Sequence, residues 1–143
     1  MIDSKGYLIH IDFGFILGIS PGNMNFESAP FKLTTEYVEI LDGLESPMYQ
    51  YYKTLILQGF IELKRHCDTF VKIIEIMAKG PKMPCFINQD INTIISKLKE
   101  RFYCNVSDQD LGRIVENLVN SSYNNFWTKK YDYFQKVTND IRI

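Results

Sequence analysis

Long apolar runs are missing from this sequence: none approaches the roughly 18 residues a membrane-spanning helix needs, and no charged segment followed by an apolar one opens the chain. The expectation is a protein that neither crosses a membrane nor carries its own secretion signal. A surplus of positive charge is missing too. Sixteen Lys and Arg against seventeen Asp and Glu leave a net charge of -1, so no global field favours nucleic acid or an anionic membrane. Cysteine is scarce: Cys67, Cys85 and Cys104 lie about twenty residues apart, with neither the paired spacing of a metal finger nor an even count for a disulfide framework. Reduced cytosolic thiols are the expectation. Internal repeats and low-complexity tracts are also absent.

What remains is ordinary for a folded domain, with 45% hydrophobic residues, 23% charged residues and many aromatics, 10 Phe and 9 Tyr. A length of 143 residues accommodates one domain with a real core. Gly6 to Ile11 sets β-formers between the turn signal Asp3-Ser4-Lys5-Gly6 and Asp12, which predicts a short strand after a tight hairpin turn. From Phe13 to Phe31, glycines, prolines and asparagines interrupt any periodicity, which predicts a long loop. Thr34 or Thr35 should cap a short helix through Leu41, ended by Asp42-Gly43. Met48 to Arg65, apolar on most sides between Leu55 and Leu63, reads as a central buried helix, with Gly59 unfavourable unless something packs closely there.

Further helices follow. Thr69 to Lys79 is stopped by Gly80-Pro81, and Ile91, Ile94, Ile95, Leu98 and Phe102 form one face of a helix capped near Asp90. Ser107 to Asp110 should cap another through Val119, and Phe126 to about Thr138 places Trp127, Tyr131 and Phe134 on one stripe. One strand region and six helices make the fold mainly α.

The chemistry concentrates at Leu8-Ile9-His10-Ile11-Asp12-Phe13-Gly14-Phe15, an apolar strand delivering a carboxylate into a glycine-containing loop. In kinases such an aspartate holds the magnesium that bridges nucleotide phosphates, and the Phe-Gly after it sets its direction. Asp-Phe-Gly alone is a weak signal. Here Pro30-Phe31-Lys32-Leu33-Thr34-Thr35-Glu36 follows eighteen residues after Asp12, where an ordinary protein kinase would have Ala-Pro-Glu.

That pair of motifs resembles the phosphoinositide lipid kinases. The resemblance continues through Tyr52-Lys53, Leu57-Gln58-Gly59, Glu75-Ile76-Met77, Pro84-Cys85-Phe86, Leu98-Lys99-Glu100-Arg101-Phe102 and Tyr131-Asp132-Tyr133-Phe134-Gln135, and it leans to the type III beta branch of the phosphatidylinositol 4-kinases. It implies that residues 1–143 are the helical C-lobe of a protein-kinase-like lipid kinase domain, from after the catalytic loop, with 12–34 as activation segment and the N-lobe absent. It further implies Asp12 as magnesium ligand, Ile11 as an apolar wall of the ATP pocket, and Phe13 and Gly14 as the turn that fixes it. His10 would donate a hydrogen bond or charge to the transferring phosphoryl group, although a strand histidine is often structural. The acceptor would be phosphatidylinositol in a membrane, and the enzyme cytoplasmic and peripheral on intracellular membranes such as the Golgi.

The loop charge refines the substrate. Between Phe15 and Phe31 there is no Lys or Arg and one acid, Glu27, whereas each phosphomonoester on an inositide adds about 1.5 to 2 negative charges that basic groups would normally match. Unphosphorylated phosphatidylinositol is therefore expected, with Lys32 either meeting its phosphodiester or simply solvated. Phe15, Ile16, Leu17, Met24 and Phe26 either pack on the domain or touch the acyl-chain boundary, and the aromatic and lysine cluster Phe126 to Tyr131 either docks on the domain or contacts the bilayer. His66, Cys67, Asp68, Asp108 and Asp110 are assigned no chemistry.

The family's Asp-Arg-His-x-x-Asn catalytic loop does not occur in the sequence. The chain alone is therefore expected to be inactive, with apolar surface left for the missing N-lobe or for self-association. Two alternatives are a class III phosphoinositide 3-kinase or related protein kinase C-lobe, and a non-enzymatic helical interaction module.

Overall fold

The computed structural model describes residues 3–7, 9, 16–19, 29–80 and 83–139. Six α-helices run through them: α1 (Thr35–Ile40), α2 (Pro47–Arg65), α3 (Cys67–Ala78), α4 (Ile91–Arg101), α5 (Asp108–Ser122) and α6 (Phe126–Asn139). A 3₁₀ turn, Pro84–Phe86, lies between α3 and α4. The mainly helical expectation is met. The chain divides into two compact units, a smaller one of Met1–Met24 with Asp68–Leu98 and a larger one of Asn25–Cys67 with Lys99–Ile143.

In the smaller unit the turn at Asp3 forms as expected. The Gly6 amide donates to the Asp3 carbonyl at 3.1 Å and the Asp3 amide to the Tyr7 carbonyl at 3.0 Å, with Gly6 in the left-handed region at φ 85°. The Asp3 carboxylate accepts from the Lys5 and Tyr7 amides and fixes the bend. Of the strand expected over Gly6 to Ile11, Leu8, His10 and Ile11 lie outside the described residues, and Gly6, Tyr7 and Ile9 are not in a strand. α3 buries Val71 and Ile74, and its last turn closes with the Gly80 amide donating to the Met77 carbonyl at 3.1 Å. The Asp90 carboxylate caps α4 by accepting from the Thr93 amide at 2.9 Å and the Thr93 hydroxyl at 3.0 Å, bonds that hold its carboxyl below the usual range.

The larger unit is built on α2 against α5. Its core is Leu33, Val38, Tyr49, Leu111, Val115 and Val119. Leu111, Val115 and Val119 recur every four residues and so line one face of α5. Ser107 caps that helix by accepting from the Asp110 amide at 3.1 Å. Pro47 at the first helical position and Ser46 as cap, accepting from the Tyr49 amide at 3.0 Å, start α2. The Lys64 ammonium donates to the Val106 carbonyl and the Asp108 carboxylate, both at 2.6 Å, tying the end of α2 to the start of α5.

Two local expectations need correction and one is met. Thr34 stands at the N-cap of α1 but makes no capping hydrogen bond, because its hydroxyl and that of Thr35 donate to the Glu36 carboxylate instead. The end of α1 falls at Asp42-Gly43 as expected: both are left-handed, at φ 65° and 91°, and their amides donate back to Glu39 and Val38. Finally, α2 is central but not buried all round. One face packs on α5, while Met48, Tyr51 and Leu55, spaced three and four apart, are exposed along another, continuous in kind with exposed Ile40 on α1.

Gly59 faces open space, since a methyl group added to it meets no atom within 4 Å. Nothing in the larger unit therefore requires a glycine there. Gly59→Ala is expected to raise the stability of the chain by about 1 kcal/mol, read as a higher urea midpoint at unchanged slope.

Candidate functional site

The residues from Ala29 to Thr34 end the long loop, and the larger unit holds them by burial, backbone pairing and charge. Leu33 is 3% exposed and belongs to the core with the α5 residues. Its backbone forms an isolated parallel bridge with Tyr123, and its carbonyl accepts from the Asn124 amide at 2.9 Å. Asn124 can present that amide because it sits in the left-handed region, at φ 50°, which asparagine tolerates better than most residues. One residue pair earlier, the Phe31 amide donates to the Ser122 hydroxyl at 3.3 Å, and that hydroxyl in turn donates to the Leu118 carbonyl at 2.8 Å. Ser122 is fully buried, so this relay satisfies a polar group that water cannot reach.

Charge completes the attachment. The Lys32 ammonium donates to the Asp132 carboxylate of α6 at 2.7 Å, with side-chain exposures of 45% and 20%. The pair stands between two open cavities, of about 430 and 330 Å³, both lined by Lys32, Thr128 and Asp132. In the larger cavity the Thr34 hydroxyl, with smaller contributions from Thr35 and the Lys129 ammonium, holds the Glu36 carboxyl below the usual carboxylate range. Both cations of this wall thus face acids.

Of the residues singled out in the sequence, His10, Ile11, Asp12, Phe13 and Gly14 lie outside the described residues. The structure brings Lys32 to Asp132, a partner one hundred positions away that no local pattern announces. Leu33, Ser122 and Asn124 were also missed as a set. The signal that could have found Leu33 is an apolar residue three positions beyond the loop's last proline, Pro30, and directly before a helix cap position. Within the loop, Ile16 to Ile19 forms a tight turn with Leu17 at φ 56° and Gly18 at φ 93°. Left-handed backbone at a leucine costs roughly 1–2 kcal/mol, a local strain of the kind that clusters at working loops. No group of three or more metal-ligating side chains occurs among the described residues.

Along α6, Phe126, Tyr133 and Val137 are strongly exposed, and the Lys130 ammonium lies 5.1 Å from the centre of the Trp127 ring. No helix among the described residues is long and apolar enough to cross a membrane.

The anchoring terms differ in size. Leu33→Ala should destabilise the chain by about 2–5 kcal/mol through lost burial and a residual cavity. Lys32→Ala should cost no more than about 1 kcal/mol, because the pair it breaks is largely solvated. Urea unfolding of the two variants checks the order, and a Lys32–Asp132 double-mutant cycle gives the pair's own contribution.

A family model described as phosphatidylinositol 3- and 4-kinase matches residues 1–87. Phosphatidylinositol 4-kinase beta of Sorex araneus is 47% identical over 141 residues, covering 99% of this chain and 17% of that protein. The same-named protein of Homo sapiens is 46% identical with the same coverage. Phosphatidylinositol 4-kinase of Dictyostelium discoideum is 45% identical over 141 residues, 99% of this chain and 12% of that protein. The chain thus spans between about an eighth and a sixth of the length of these relatives.

Proposed function

The chain belongs to the phosphatidylinositol 3- and 4-kinase family, and from that premise we propose that it is the C-lobe part of a lipid kinase transferring the γ-phosphate of ATP to the 4-hydroxyl of phosphatidylinositol. The observation that carries this reading is identity of 45% to 47% with phosphatidylinositol 4-kinases along 99% of the chain. A family shared by 3- and 4-kinases leaves the hydroxyl undecided by itself; the relatives favour the 4-position.

In this reading residues 12–34 are the activation segment, and the anchor at Leu33 fixes its outgoing end on α5 and α6. Asp12 would hold the magnesium that accompanies ATP, a carboxylate being the hard oxygen donor that this ion takes. When bound, magnesium would neutralise charge on the nucleotide phosphates. Ile11 would line the nucleotide pocket, Phe13 and Gly14 would set the turn that aims Asp12, and His10 would donate to the phosphoryl group. The Lys32 ammonium meets the phosphodiester of the headgroup only by exchanging it for Asp132, so its first role is to latch the segment to α6.

The absence of basic residues between Phe15 and Phe31 supports an unmodified headgroup as acceptor. The exposed aromatics of α6, with Lys129, Lys130 and Lys136 among them, suit the interface of a membrane, where aromatic bodies meet the acyl boundary and lysine heads stay wet. In this reading the enzyme is peripheral on the cytoplasmic face of intracellular membranes. Exposed Ile40, Met48, Tyr51 and Leu55 suit contact with other parts of the kinase or with a second copy.

In the complete kinase that carries this sequence, Asp12→Asn is expected to lower turnover by about 100-fold or more with the lipid anchor residues intact. The assay uses phosphatidylinositol vesicles, ATP and magnesium, with the phosphorylated position determined on the product. Phosphate at the 3-hydroxyl, or on a peptide in preference to lipid, would overturn the reading.

A further inference from the structure

Two of the three cysteines meet. The Sγ atoms of Cys67 and Cys104 stand 2.8 Å apart, although 37 positions separate them in sequence. Cys67 is the first residue of α3 and is 6% exposed; Cys104 is more accessible. The backbone fixes both. Cys67 follows His66, whose amide closes α2 on the Glu62 carbonyl at 3.0 Å. Cys104 lies in the cap of α4, where Tyr103 is left-handed at φ 54°, its amide donates to Glu100 and the Cys104 amide donates to Lys99. Both cysteines belong to the larger unit, and they flank the points at which the chain leaves it after Cys67 and returns to it at Lys99. Cys85 belongs to the smaller unit and is 1% exposed.

We propose that Cys67 and Cys104 are a thiol oxidation site, closed to a reversible disulfide by a hydroperoxide. A sulfur–sulfur bond of about 2.05 Å needs the two atoms to approach by less than about 1 Å. The balance is complete. The more accessible Cys104 sulfur takes an oxygen from the peroxide to become a sulfenic acid, with water (or the alcohol of an organic hydroperoxide) leaving. The Cys67 sulfur then attacks the Cys104 sulfur, the S–S bond forms as the S–O bond breaks, and a second water departs. In sum two thiols are oxidised and one peroxide is reduced, and a dithiol restores the starting state. The partner at close range makes the disulfide faster than over-oxidation of Cys104. Closing a loop of this length restricts the unfolded chain, so the oxidised form melts higher. This inference stands independently of the kinase reading, because it uses only the placement of Cys67 and Cys104 within the larger unit.

The test treats the reduced chain with hydrogen peroxide near stoichiometry and maps its peptides without reduction. The expected result is a mass loss of two hydrogens, a Cys67–Cys104 linked peptide that dithiothreitol removes, and a melting temperature raised by roughly 10 °C. Cys85→Ser should keep the link and Cys104→Ser should lose it; if the latter does not fold, the maps of the unaltered chain and of Cys85→Ser decide the matter. Sulfinic acid at Cys104 with Cys67 still alkylatable, a link through Cys85, disulfide-joined dimers, or no oxidation at all would each overturn the proposal, and so would a link that left the melting temperature unchanged.

Discussion

The burial of Leu33 is the contact on which the larger unit's organisation turns. It closes the core formed by α2 and α5, and at the same time fixes the last residues of a loop that otherwise has no periodic reason to lie anywhere. A side chain can do both only if its backbone is satisfied where it enters the core. The bridge to Tyr123, the left-handed Asn124 and the buried Ser122 hydroxyl provide that satisfaction. The corner between α5 and α6 is thus shaped by the segment it receives.

From this anchoring follows a division of labour between strong and weak terms. Burial and backbone hydrogen bonds place the segment, and the Lys32–Asp132 pair, exposed to water, adds direction more than stability. An exposed pair can be exchanged for another ionic partner at small cost, whereas the Leu33 seat cannot. That is a useful arrangement for a loop whose root must stay fixed while charges near it remain available.

The helices were legible because each carries its own start and stop signals: Ser107 and Asp90 as caps, Gly80 as terminator, and the four-residue rhythm of Leu111, Val115 and Val119. What the sequence hid is whatever depends on a distant partner. Nothing local distinguishes the face of α2 that meets α5 from the face with Met48, Tyr51 and Leu55, since both are apolar, and burial on one side alone was not predictable. The Thr34 hydroxyl failed as a cap because a carboxylate two residues on competes for it, a local contest that a cap rule does not weigh. The candidate site was legible in a different way. Asp12 and its neighbours stand out by motif but lie outside the described residues; Leu33 sits in the Pro30 to Glu36 motif without its burial being legible there, and Ser122 and Asn124 act through geometry and have no motif.

Charge commitments then bear on what such a lobe can recognise. Among the described residues, Lys32 pairs with Asp132, Lys53 with Glu116 and Lys64 with Asp108, and Lys129 lies close enough to Glu36 to lower its carboxyl. An outside anion could take any one of these cations only by displacing its acid, setting one ion pair against another. The loop between Phe15 and Phe31 adds no lysine or arginine to this set, and that scarcity of free positive charge is the physical basis for proposing an unmodified inositol headgroup as acceptor.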